Sequence, residues 1–239
     1  MFYCDAHIHL LPHMDNGPRS VDESLLMLQA LKQAYTRRLI LTPHYDWRDE
    51  TCAHFLSRRK ESYSALHKAA GHLMHRTKCL LSAEVYLTRG VAHLPLLERL
   101  CIPHTRCLPL ELPLSGFDRQ MMAEIAHMIH KRKITPIISA TERYFLLYNR
   151  NDYTTLASLP NTVYQFTANA LQNKDVLHEA VRLLNTGHTI ILGSNAHGRE
   201  HRRPVDQEME DFIHTGCAPS VFEAFALKTA AYFADAFSK

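Results

Sequence analysis

Tyr3-Cys4-Asp5-Ala6-His7-Ile8-His9-Leu10 reads as the heart of a short buried strand over residues 2–10, with two histidines two positions apart. A strand's period of two turns both rings to the same side. Two imidazoles aimed at one point suit Zn, Mn or Fe, and a strand holds them without the ordering cost of a loop. A strand with two half-exposed histidines would have the same H-x-H pattern, so the motif alone does not separate the readings. Met14-Asp15-Asn16-Gly17-Pro18 adds weight to the metal: it is a turn that brings a carboxylate within reach of the same strand end.

Working outward, helix and strand alternate. Ser20-Val21-Asp22-Glu23 opens a helix as a capping box, and Leu25, Leu28 and Leu31 give it an apolar face to about Tyr35. Strands are expected at 38–44, ending on His44, at 78–85, with Glu84 near its end, and at 107–112, with Glu111 near its end. Further short apolar strands fall at 134–139, 162–167 and 189–194. A long polar helix is expected over 52–75 and another over 118–131, with a closing alanine- and phenylalanine-rich helix over 221–237. Regular alternation without an internal repeat predicts a parallel α/β fold in one domain spanning residues 1–239.

The polar residues favour a barrel over an open sheet. His7, His9, His44, Glu84, Glu111 and His197 each fall at or near a strand's carboxyl end, and a barrel brings all such ends to one face. An open nucleotide-binding sheet would need a glycine-rich turn after its first strand, and no G-x-G-x-x-G or G-x-x-x-x-G-K is present. Each residue alone has a plainer role: Glu84 paired with Arg89, Glu111 capping a loop, His44 facing solvent. Together they indicate a metal cluster, because imidazoles and carboxylates desolvated side by side are costly unless a cation offsets them.

Composition narrows the class. The chain of 239 residues is 46% hydrophobic and 21% charged, as expected of a soluble globular protein. A net charge of +3 gives no reason to expect a nucleic-acid partner. No leader pattern and no run of apolar residues long enough for a membrane span is evident, so a cytoplasmic protein without membrane insertion is expected. Six cysteines at irregular spacing, without a C-x-x-C pair, argue for reduced thiols rather than a disulfide framework. Seventeen histidines are unusual, although His54, His67, His72 and His75 sit in a polar helix and are expected at the surface.

The motifs D-x-H-x-H, T-x-H and S-x-x-H resemble those of the polymerase and histidinol phosphatase (PHP) superfamily. Within it, D-N-G-P-R-S-V-D-E-S at 15–24, A-E-V-Y-L-T at 83–88, T-P-I-I-x-x-x-E-R-Y at 135–144 and Q-F-T-A-N-A-L at 165–171 are similar to the manganese-dependent tyrosine-protein phosphatases of bacterial capsule and exopolysaccharide loci. The resemblance implies a distorted (β/α)7 TIM-like barrel holding up to three metals. Mn2+ is the first choice, with Fe, Zn, Mg or Co as alternatives. One implied metal set is Asp15, His44 and His197. A second is His7, His9, Glu84 and a position occupied here by Asn195, where the family has Asp. A third is Glu84, Glu111 and a position occupied here by Ala140, where the family has His. Asparagine still offers a neutral carbonyl oxygen whereas alanine offers nothing, so fewer than three metals are expected. Arg143 and Arg202 match the family's phosphate-binding arginines, and a guanidinium fork suits phosphoryl oxygens.

The expected activity is metal-dependent phosphomonoester hydrolysis on a phosphotyrosine protein, with the tail of a bacterial tyrosine kinase as partner and oligomerisation left open. Alternatives are a small-molecule phosphatase of the histidinol-phosphate type and a non-catalytic member that binds phosphotyrosine or the kinase. No cysteine nucleophile is implied: Cys52 and Arg58 have C-x5-R spacing but lie in a helical segment rather than a glycine-rich cradle.

Overall fold

The computed structural model describes residues 4–198, 204–205 and 219–239. Among them are nine strands: β1 (Cys4–Ile8), β2 (Arg38–Leu41), β3 (His44–Tyr45), β4 (Lys78–Leu81), β5 (Glu84–Tyr86), β6 (Cys107–Glu111), β7 (Thr135–Ile138), β8 (Val163–Thr167) and β9 (Thr189–Gly193). The α-helices are α1 (Val21–Gln33), α2 (Cys52–Ala70), α3 (Arg119–His130), α4 (Thr141–Leu147), α5 (Arg150–Leu156), α6 (Lys174–Asn185) and α7 (Pro219–Tyr232).

Helix starts follow local capping chemistry. Ser20 Oγ accepts from Glu23 N–H at 3.2 Å while the Glu23 carboxylate accepts from Arg19 N–H at 2.7 Å. Thr51, Asp118 and Asn173 cap α2, α3 and α6 in the same way. The helix expected over 52–75 ends sooner: Gly71, at φ 47°, stops α2 and the chain continues as a 3-10 turn over Gly71–Met74.

The strands form two parallel sheets, β1-β2-β4 and β3-β5-β6-β7-β8-β9. The expected continuous strands over 38–44 and 78–85 are each broken in two, at Thr42-Pro43 and at Ser82-Ala83. Pro43 has no N–H to give to a ladder. Hydrogen bonds still cross the breaks: Ser82 N–H donates to Leu41 O at 2.9 Å and Glu84 N–H to Pro43 O at 3.0 Å. Arg59, buried on α2, donates to Ser82 O at 2.5 Å, which occupies that carbonyl at the second break, and Ser82 Oγ donates to Leu100 O at 2.9 Å. At the far end, β1 meets the residues after β9 through a parallel bridge between Ile8 and Ala196. His9 N–H donates to Ala196 O at 2.9 Å and Asn195 N–H to His7 O at 2.8 Å.

The main core packs α1, α2, α3 and α6 against the sheets, with Leu28, Phe55, Ile125 and Leu183 among its buried side chains. A second cluster gathers Cys4, Ile40, Cys107, Ile137 and Ile191 from five strands around Phe233 and Phe237. Among the described residues no helix is long and apolar enough to cross a membrane.

Candidate metal centre

His7 and His9 at the carboxyl end of β1, Glu111 at the carboxyl end of β6, His197 after β9, and His44 and Glu84, which open β3 and β5 just past the two strand breaks rather than ending a strand, come together. Three groups of donor atoms lie close enough to share an ion: His7, His9 and Glu84; His44, Glu84 and Glu111; His9, His44 and His197. Glu84, 2% exposed, is the hub. Its Oε2 lies 3.3 Å from His7 Nε2, 3.4 Å from His9 Nε2 and 3.1 Å from His44 Nδ1. His44 Nδ1 is also 3.3 Å from Glu111 Oε2, and the His9 and His197 rings stack with centroids 3.8 Å apart. Register explains part of this convergence, since His44 pairs with Glu84 and Tyr86 with Glu111 across neighbouring parallel strands.

Proton positions follow from the partners. Gln165 Oε1 accepts from Ala140 N–H at 2.8 Å, which fixes that atom as the oxygen, and His7 Nδ1 lies 2.8 Å from it and must donate. Asp15 Oδ2 takes the proton of His9 Nδ1 at 2.7 Å and the N–H of His44 at 2.9 Å, while Asp15 Oδ1 accepts from Gly17 N–H at 2.8 Å. Neutral His7 and His9 therefore both turn an Nε2 lone pair inward. Those two nitrogens are 3.0 Å apart and share the Glu84 carboxylate as their neighbour. Three acceptors facing one point with no proton between them require a cation, either added protons or a metal.

The electrostatics agree. Burial alone would push His7 and His9 down, but the Glu84 charge at His7 and the Asp15 and Glu84 hydrogen bonds at His9 leave both imidazoles above their ordinary value. Desolvation works against ionised Glu84 too, yet His7, His9 and His44 hold its carboxyl well below the usual range. Asp15 is likewise depressed, its burial outweighed by the His9 hydrogen bond. Asp5, wholly buried, is pushed up to about 6 by desolvation, against hydrogen bonds from Ser194 and from His7 N–H.

Asn195 sits beside this cluster at φ 49°, a left-handed conformation that asparagine tolerates. Its side chain is 8% exposed and its Oδ1 is a buried acceptor without a hydrogen-bond partner. An orphaned buried carbonyl oxygen, on a residue whose backbone bonds to His7 and His197, fits a hard cation as its missing partner. Ala140 is also left-handed, at φ 47°, and fully buried; its side chain offers no donor atom, and its backbone N–H donates to Gln165 while its carbonyl accepts from Arg143 N–H at 2.9 Å. Arg143 pairs with Glu111, Nη1 to Oε1 at 3.0 Å, so Glu111 is half of an ion pair rather than a loop cap. Glu84 keeps company with the histidines rather than with Arg89. Arg202 lies outside the described residues.

Gln165 is the residue to which the sequence reading gave no chemical part. The signal was available: one amide in the otherwise apolar and aromatic run Val163-Tyr164-Gln165-Phe166-Thr167, buried at every position. Gly193 is a second. A Cβ there would lie 2.5 Å from His7 Cβ and 2.8 Å from His7 N, so only glycine lets β9 approach β1 at His7.

A parallel α/β scaffold that presents clustered imidazoles and carboxylates from its strand ends defines a protein built around a candidate metal centre. The chain belongs to the CpsB/CapC family of capsular polysaccharide synthesis, whose model matches residues 3–231. No curated protein matches it in sequence. Among solved structures it is similar to one from a study of YwqE from Bacillus subtilis and CpsB from Streptococcus pneumoniae, described as unique metal-dependent tyrosine phosphatases. The TM-score is 0.73 at 20% identity, over 94% of this chain and 91% of that one. At that identity the likeness shows the fold.

Proposed function

We propose that this chain is a metal-dependent protein-tyrosine phosphatase, a phosphoric monoester hydrolase that regulates a bacterial tyrosine kinase and with it capsular or exopolysaccharide synthesis. One observation carries the reading: the Nε2 lone pairs of His7 and His9 and the Glu84 carboxylate face one point, with His44, Glu111 and His197 around them. Family membership and the fold shared with metal-dependent tyrosine phosphatases support it.

The two sheets, joined through the bonds across Pro43, Ser82 and Ala196, form in this reading one distorted (β/α)7 barrel in a single domain. His7, His9 and Glu84 would hold one divalent ion with the Asn195 carbonyl, and His44 and His197 a second with Asp15; Mn2+ is the preferred metal. When bound, such ions supply Lewis-acid chemistry, acidifying water and neutralising phosphoryl charge. The chain's own groups do the rest. Gln165 and Asp15 hold the His7 and His9 rings with Nε2 inward. Glu111 holds the Arg143 guanidinium, which would meet phosphoryl oxygens, a part the family resemblance also gives to Arg202. The Glu111 ion site is weak because Ala140 supplies no imidazole.

A second reading, a non-catalytic phosphotyrosine or kinase-binding member, is favoured by Ala140 and Asn195; a histidinol-phosphate-type phosphatase is a third. Comparing phosphotyrosine peptide with histidinol phosphate in added manganese tests all three. Turnover of the peptide alone supports the proposal, turnover of histidinol phosphate replaces its substrate, and binding of the peptide without turnover moves the second reading ahead.

A further inference from the structure

A cavity of about 550 Å³ opens directly beside His44 and Glu111. Its upper wall follows from strand register. On β5, Tyr86 lies two residues beyond Glu84 and pairs with Glu111 of β6, one step from the cluster toward solvent. After β3, Asp46 lies two residues beyond His44. Between them stands Arg48. Its guanidinium is ion-paired to Asp46, with Nε 3.0 Å from both carboxylate oxygens, and lies over the Tyr86 ring 5.3 Å from the centroid. The turn that carries it is pinned from both sides. Asp49 N–H closes onto Asp46 O at 3.1 Å, and Trp47 Nε1 donates to Thr88 Oγ1 at 2.8 Å, tying the turn to the segment after β5.

A guanidinium is planar and stacks on aromatic rings through both faces. Arg48 lies over the Tyr86 ring and is paired with Asp46, yet its side chain remains 55% exposed and lines the cavity, so part of the guanidinium is left open to a further ring. Tyr45 and Met14 add apolar surface lower down. An aryl group attached to a phosphate near His44 would leave through this space.

We propose that Arg48, held by Asp46 and Tyr86, is the specificity-determining residue of this cavity, stacking its free face on the ring of an aryl phosphate and selecting aromatic over alkyl phosphomonoesters. The inference rests on the reading of the centre as a phosphomonoester site but not on turnover, so binding tests it. Phenylphosphonate and butylphosphonate, which cannot be hydrolysed at their carbon–phosphorus bond, are titrated calorimetrically into the full chain supplied with manganese. Phenylphosphonate is expected to bind about two- to tenfold more tightly, the range of a partly desolvated cation–π stack. Arg48→Ala is expected to remove that preference, Arg48→Lys to keep the charge but recover only part of it, and Tyr86→Phe, which retains a ring under Arg48, to preserve it. Where Arg48→Ala failed to fold, Arg48→Lys and Tyr86→Leu would carry the comparison. A preference that survives Arg48→Ala, equal affinity for the two ligands, or no binding of either overturns the proposal. Aryl-selective binding without phosphatase activity would instead uphold it while removing the hydrolytic reading.

Discussion

His7 and Gln165, 158 residues apart in sequence, are joined by a hydrogen bond of 2.8 Å from the imidazole Nδ1 to the amide oxygen. The same oxygen takes the N–H of Ala140, so one side chain sets the tautomer of His7 and ties β8 to the turn after β7. Replacing Gln165 with Leu leaves two buried donors unpaired, each costing about 1–3 kcal/mol. Freeing the His7 ring should weaken manganese affinity by about 10–100-fold. Thermal unfolding and metal titration of Gln165→Leu check both effects.

The pH dependence of stability should reverse when metal is added. In the metal-free protein His7 and His9 hold protons above the ordinary imidazole value of 6.5. Their contribution is therefore fully present below that value and is lost as pH rises through their folded values. Metal requires the neutral rings, so its stabilising effect grows over the same interval. Unfolding midpoints measured from about pH 6 to about pH 8 should make these two groups' contribution fall without manganese and rise with it. His7→Gln should flatten both trends.

Gly193→Ala should be among the most damaging single substitutions. The added methyl would sit 2.5 Å from His7 Cβ, against backbone as well as side chain, so β1 and β9 must part. Overpacking of this kind costs about 1–3 kcal/mol. Metal affinity should fall with it, because the displaced residue is His7 itself. Denaturant unfolding with a parallel manganese titration reads the two together.

Much of this was legible in the sequence. The strand-end positions of His7, His9 and Glu111 follow from hydrophobic patterning, whereas His44 and Glu84, expected near the ends of strands over 38–44 and 78–85, open β3 and β5 beyond the breaks. The expected strands run through Thr42-Pro43 and Ser82-Ala83, and patterning could not show the long-range hydrogen bonds that carry the ladder across these breaks. Nor could it show Asp15 as the acceptor for His9 Nδ1, which depends on how the turn folds back, with Gly17 N–H closing on its carboxylate. Gln165 was visible as an oddity in its strand, but its partner lies on another strand far away in sequence.

The two positions at which the resemblance implies other ligands, Ala140 and Asn195, should accept them. Ala140 and Asn195 both sit in left-handed backbone, at φ 47° and 49°, where histidine and aspartate are tolerated. As the chain stands, fewer than three tightly bound metals per chain are expected, and elemental analysis counts them. Ala140→His with Asn195→Asp should raise that count and increase phosphotyrosine hydrolysis by about 10–100-fold or more. Asn195→Asp alone should recover less, because the imidazole is still missing. It should also lower metal-free stability, since the unpaired Oδ1 would become a buried charge.

The central claim is that this cluster binds metal and that the metal serves hydrolysis of phosphotyrosine. It is tested most directly by measuring phosphate released from a phosphotyrosine peptide while manganese is titrated into the metal-stripped protein, with bound metal followed in parallel. The account predicts no release in chelator, a saturable rise that follows occupancy, and loss of both in His9→Ala. Full occupancy of the cluster without phosphate release, or release that persists in chelator, would contradict it.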